Sequence, residues 1–226
     1  MEKKKIRIWG LLLTVGLTGL LGGCMSKSGK IISYMEDRYG NTFTYEGETN
    51  GMLGSSAFTA KLSCPDYPDM TILASFVSRD GEEYYSDNYL AVSYHEDAER
   101  AIEEAAGQVL ENCRLFLAEP DLTMSIENPE EYTLEDYLSD PLAFKSVWIM
   151  TSDEVDEEVF QALVQEFSRE NISVNGVLAV PSDPCDTVEM TKESFENFLA
   201  NKGRVKTQVN FKVENGELIR EDWRRE

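Results

Sequence analysis

The chain has 226 residues, with 42 acidic and 21 basic side chains and one histidine, for a formal charge of −21. Four basic residues (Lys3, Lys4, Lys5, Arg7) and one acidic residue (Glu2) fall in the first seven positions, so the remainder carries 17 basic and 41 acidic groups, a net of −24. Such a surface repels phosphate, which argues against nucleic acid as a partner and against a basic patch docking on an anionic bilayer, while 42% hydrophobic and 10% aromatic residues are too many for a disordered chain.

The N-terminus reads as a secretion signal. Lys3-Lys4-Lys5 and Arg7 form a positive n-region, and Leu11 to Leu20 an apolar h-region. The uncharged run from Ile8 to Gly23 has 16 residues, fewer than the ~20 that span a bilayer comfortably. It closes with Leu21-Gly22-Gly23-Cys24, and this segment resembles the lipobox of bacterial prolipoproteins. The resemblance implies that residues 1–23 are removed, and that Cys24 becomes the first mature residue and carries a diacylglyceryl group and further acyl chains such as palmitate. The alternative is an ordinary signal peptide or an uncleaved anchor with an incidental cysteine. In either case residues 25–226 face the extracytoplasmic side of the cell membrane.

Residues 24–29 read as a lipid-anchored polar tether, and 30–226 as the folded body. Ile31, Tyr34, Met35 and Tyr39 recur at helical spacing up to Gly40, which suits a helix C-cap. Phe43/Tyr45, then Phe58/Ala60/Leu62, then Met70/Ile72/Ala74/Phe76 alternate as strands, with Asn50-Gly51, Cys64–Asp69 and Asp80-Gly81 as connections. Ser86-Asp87 is expected to cap one long helix reaching Leu115 through Leu90, Tyr94, Ala98, Ile102, Ala105, Val109 and Cys113. Leu122–Ile126 predicts a strand, Thr133–Leu138 a short helix, Val147–Met150 a strand and Asp153–Arg169 a helix. Val177–Val180 predicts a further strand, and Thr191 caps a helix ended by Gly203. Val205 to Val213 alternates cleanly, and Asn215-Gly216 turns it back as a type I′ hairpin into Leu218–Trp223.

Helices and strands interleave irregularly. This predicts an α+β fold: an antiparallel or mixed sheet with helices packed on one face. The body is one domain or two small lobes, 30–118 and 120–226, meeting near Pro120. The stretch Lys30 to Gly40, with Phe43-Thr44-Tyr45 and Ser86-Asp87-Asn88-Tyr89, resembles small uncharacterised lipoproteins of Gram-positive anaerobes. That likeness implies a habitat and carries no activity.

The sole imidazole, His95, is read as a solvated helix residue, and neither G-x-S-x-G nor a reactive cysteine motif is present. Cys64, Cys113 and Cys185 form no CxxC and are expected to stay unpaired, with Cys113 on a helix core face. Calcium is weighed for Asp80–Glu83, Asp87-Asn88 and the run Asp153–Glu158, but none follows the EF-hand spacing, and acidic helix ends explain them better. No cofactor is therefore expected. Eight of ten tyrosines lie between residues 34 and 94, and Tyr34, Tyr39, Tyr84, Tyr85 and Tyr89 are candidates for a recognition surface towards a protein, peptide or sugar. The function expected is non-enzymatic binding or scaffolding by a lipid-anchored extracytoplasmic protein. The alternatives are an anchored solute-binding protein with a Tyr-rich pocket, and a carboxylate-based cell-wall glycan hydrolase.

Overall fold

The computed structural model describes residues 26–49, 57–183, 187, 189–200 and 204–225. Leu21, Gly22, Gly23, Cys24, Asn50-Gly51, Cys185 and Gly203 lie outside them. Among the described residues the fold is α+β, with six α-helices, one 3₁₀ turn and nine strands in two open sheets.

Helix α1 (Lys27–Tyr39) begins three residues before the spacing predicts, because the Ser26 hydroxyl accepts the Gly29 amide and caps it. Gly40 ends it in the left-handed conformation. Strands β1 (Thr44–Glu48), β2 (Ala57–Ser63), β3 (Ile72–Arg79) and β4 (Glu82–Asp87) form an antiparallel meander in chain order. Phe58 lies opposite Phe76, Ala60 opposite Ala74, and Leu62 opposite Ile72. That face buries Ile31 and Met35 of α1. The turn between β3 and β4 is Asp80-Gly81, both with positive φ.

The single long helix expected from Ser86-Asp87 to Leu115 does not form. Glu82–Asp87 is strand β4, followed by helix α2 (Tyr89–Ser93), helix α3 (His95–Gly107) and strand β5 (Cys113–Leu117). The cause is tertiary. Asn88, fully buried, accepts the Leu73 amide through Oδ1 and donates through Nδ2 to the carbonyl of Pro120, at 2.7 Å each. This pins the chain to β3 at the point where a helix would have to continue. Cys113, expected on a helix core face, opens β5, where Leu115 and Leu117 enter one core and Phe116 the other. The segment 122–126, expected as a strand, contributes one antiparallel bridge, Met124 to Asp87.

The second sheet has the order β5-β6-β7-β8-β9. Helix α4 (Leu134–Ser139) lies between β5 and β6 in the chain and opens with a capping box between Thr133 and Asp136. Strand β6 (Ser146–Thr151) connects through α5 (Glu157–Arg169) to its parallel neighbour β7 (Val174–Pro181). Helix α6 (Lys192–Ala200) follows, then β8 (Val205–Glu214) and β9 (Glu217–Arg225), joined by Asn215-Gly216 with φ of 50° and 77° as a type I′ turn requires. Helices α3 and α5 cover one face through Ile102, Phe160, Leu163 and Phe167. Helix α6 covers the opposite face of β5 and β6, where Phe195 meets Phe116 and Trp148.

Gly176 of β7 lies under the Phe211 ring, and a Cβ there would come within 2.1 Å of it. That ring is wedged between Phe160 and Phe167, with centroids at 5.6 and 6.3 Å. Gly176→Ala is therefore expected to destabilise the fold by about 1–3 kcal/mol. Urea denaturation should show a lower midpoint at unchanged slope, and Phe211→Leu in the same chain should recover part of the loss.

Candidate functional site

The densest polar constellation lies where α1 crosses the end of β4. Alternation along β4 turns Glu83, Tyr85 and Asp87 towards α1, and the helix answers at matching heights. Lys30 pairs with Glu83, Tyr34 stacks on Tyr85 at 4.4 Å, and Tyr34 and Tyr39 both reach Asp87. Asp87 is buried. Its Oδ1 accepts the Tyr39 hydroxyl at 2.8 Å and the Tyr89 amide at 3.0 Å, and its Oδ2 accepts the Tyr34 hydroxyl at 3.1 Å. The Arg38 guanidinium stands 3.9 Å from Oδ2, lies over the rings of Tyr34 and Tyr39, and donates to the carbonyl of Ile126.

Burial raises the Asp87 pKa above the usual carboxylate range, against the opposing pull of its hydroxyl, amide and guanidinium neighbours. The Tyr34 and Tyr39 hydroxyls are raised by burial and by the carboxylate beside them, so both remain donors. Every partner of the carboxylate is internal. The constellation is thus chemically a clamp that closes four segments on one another.

Of the five tyrosines singled out in the sequence, Tyr34, Tyr39, Tyr85 and Tyr89 come together here, joined by Tyr67. Their rings face one another, Tyr39 and Tyr89 at 4.3 Å, and the Tyr85 hydroxyl is taken by Glu83. Tyr84 lies on the other face of β4 and is 54% exposed.

His95, read as solvated, is half-buried at the start of α3; its Nδ1 is shielded without a hydrogen-bond partner, and burial lowers its pKa. Cys64 and Cys113 are free thiols, and burial pushes Cys113 up to about 11, which keeps it from acting as a thiolate. Lys145 is a functional-looking group that sequence reasoning missed. It is 2% exposed, donates to the carbonyls of Tyr137 and Asp140 at 2.6 and 2.8 Å, and burial lowers it to about 8. Its role is to satisfy the carbonyl end of α4.

The acidic runs are used locally. Asp156 caps α5, and Asp153 accepts from Asn112. Among the described residues no group of three or more His, Cys, Asp or Glu side chains is arranged to hold a metal ion. No described helix is long and apolar enough to cross a membrane.

Two of the concavities among the described residues lie on the second sheet's side. A cleft of about 560 Å³ between the start of α5 and the ends of β8 and β9 carries charges of both signs. They pair across it: Lys206 with Glu154 at 3.3 Å, and Arg225 with Glu157 at 3.8 Å. A groove of about 390 Å³ between α3, α4 and α5 has an apolar floor that includes Ala105, Leu138 and Ile172. Glu104, Glu135, Glu166 and Glu170 also line it, and Arg169 pairs with the last two. No tyrosine lines either concavity.

No family model and no curated protein matches the sequence. The fold comparison returns the crystal structure of a DUF5037 family protein from Ruminococcus gnavus ATCC 29149, at 13% identity and a TM-score of 0.39, over 84% of this chain and 93% of that one.

Asp87→Ala is expected to cost about 3 kcal/mol, since it strands two tyrosine hydroxyls and a guanidinium that had shared one charged acceptor. The pH dependence has a definite sign. A carboxyl raised on folding binds its proton more tightly in the native state, so its contribution falls as pH climbs from the unfolded carboxylate value through the raised native one. Denaturation of wild type against Asp87→Asn across that range should show wild type losing ground as pH rises.

Proposed function

We propose that the protein is a lipid-anchored extracytoplasmic domain that acts by binding or scaffolding, without catalysis of its own. The observation that carries this reading is the continuity of Leu21-Gly22-Gly23-Cys24 with a helix capped at Ser26, so that the folded body starts directly behind the lipidation cysteine. Several groups that could do chemistry are otherwise engaged. Asp87 is saturated by internal donors, the Cys113 thiol is held protonated, and Lys145 is committed to two carbonyls.

A binding role falls most naturally to the groove between α3, α4 and α5. Its apolar floor supplies area, and Glu104 and Glu135 attract positive charge, while Glu166 and Glu170 are paired with Arg169. The partner chemistry this favours is a basic amphipathic peptide segment. The packing of Tyr34, Tyr39, Tyr85 and Tyr89 against one another supports a structural use of those rings over a solute pocket.

Cys24→Ala is expected to abolish acyl labelling in the expressing cell and to release or strand the precursor; unchanged labelling would refute the anchor. A thermal-shift series on the soluble body should show stabilisation by a basic amphipathic peptide, approaching 2.7 kcal/mol at about a hundredfold excess over Kd. Glu104→Lys with Glu135→Lys should remove that shift, and a shift equal in both proteins would exclude the groove.

A further inference from the structure

The first described helix ties the orientation of the whole body to its anchor. Two residue steps separate Cys24 from Ser26, a reach of about 8 Å at most. From Ser26 the chain enters α1, which is packed on the first sheet through Ile31 and Met35 and clamped at its far end by Asp87. A lipid on Cys24 therefore holds the start of α1 at the bilayer surface with little slack.

Contacts identify what lies beside that start. Lys27 stands over the Phe58 ring and Lys30 over Phe76, at 5.5 and 6.0 Å, and Lys30 pairs with Glu83. In the sheet register Ala57 faces Val77, and Val77 faces Tyr84. The β3–β4 hairpin, turning at Asp80-Gly81, is thus the part of the sheet at and beyond the level of the first turn of α1. Three features of this end suit a headgroup layer. Lys27, Lys30 and Arg79 balance Asp80, Glu82 and Glu83, so an otherwise strongly acidic body meets an anionic surface where its own charge cancels. Tyr84, the most exposed tyrosine of the five considered above, projects at this height with an apolar ring and a polar tip. At the opposite end of α1, one helix length of about 20 Å away, Arg38 reaches Ile126 and Asp87 pairs with Met124, both on the segment that links β5 of the second sheet to α4.

We propose that the β3–β4 hairpin end of the first sheet, with the first turn of α1, is a membrane-facing surface seated on the lipid headgroups, and that the second sheet projects away from the bilayer. This rests on acylation of Cys24. The mature chain contains two tryptophans, Trp148 and Trp223, both in the second sheet, and they serve as internal distance markers.

The test uses the acylated mature protein in vesicles of phosphatidylcholine with a phosphatidylglycerol fraction, with and without bromines on the lipid chains. Wild-type emission should be unchanged by bromine. Tyr84→Trp should lose the added emission roughly twofold, as expected of a ring at headgroup level. Ile219→Trp, at an exposed position on β9, should add emission that bromine leaves intact. Equal quenching of the two variants, or an unquenched Tyr84→Trp in a lipidated protein, overturns the orientation. Mass spectrometry of the N-terminal peptide separates this from failure of the anchor itself: a peptide without lipid defeats the anchored reading, and the orientation with it.

Discussion

A carboxylate taken out of water must be surrounded by donors, and Asp87 draws its donors from separate parts of the chain. Tyr34, Arg38 and Tyr39 come from α1, and the Tyr89 amide from the start of α2. Arg38, held there by the charge and the two rings, extends the network to the carbonyl of Ile126. The direction of α1 over the first sheet follows from this single acceptor. So does the junction with the segment that follows β5, because the backbone of Asp87 also exchanges both of its hydrogen bonds with Met124.

The charge excess has little to do with holding the fold together. Most of the ion pairs are on the surface, such as Arg100 with Asp97 or Lys206 with Glu154, where water and salt leave them worth well under 1 kcal/mol. The charges that matter are the few inside. Asp87 and Lys145 each sit in an environment that opposes their ionised form, and each stays because it satisfies groups that would otherwise be stranded. The remaining acidity solvates the body and keeps it from polyanions, apart from the balanced hairpin end of the first sheet.

These two facts give the proposed arrangement its mechanical logic. Helix α1 begins at Lys27 and runs to the buried carboxylate, and the backbone of the same aspartate pairs with Met124, on the segment between β5 of the second sheet and α4. The groove between α3, α4 and α5 lies on that second body. A ligand bound there would be held at a set distance from the bilayer, which is the use we see for a domain that is otherwise tightly self-satisfied.

Local signals made several elements legible from residues alone. Gly40 ends α1, Thr133 opens α4, and Asn215-Gly216 turns β8 into β9, because each rests on the conformational preference of one or two residues. The alternation of β8 and the stripe of α5 likewise need no distant partner to be read. What the sequence could not display is what depends on residues far apart in it. The end of β4 reads as a helix cap and the start of β5 as a helix end, because Leu90 to Cys113 fits a helical period and only the tie of Asn88 to Leu73 and Pro120 breaks it. Asp87 reads as a helix cap until Tyr34 and Tyr39, some fifty residues earlier, deliver their hydroxyls to it. The sequence by itself therefore determined the acidity and the caps and turns, and it carries the lipobox-like stretch on which the proposed anchor rests. The tertiary structure decided which charges are buried and which tyrosines meet, since burial and pairing are properties of the packed chain.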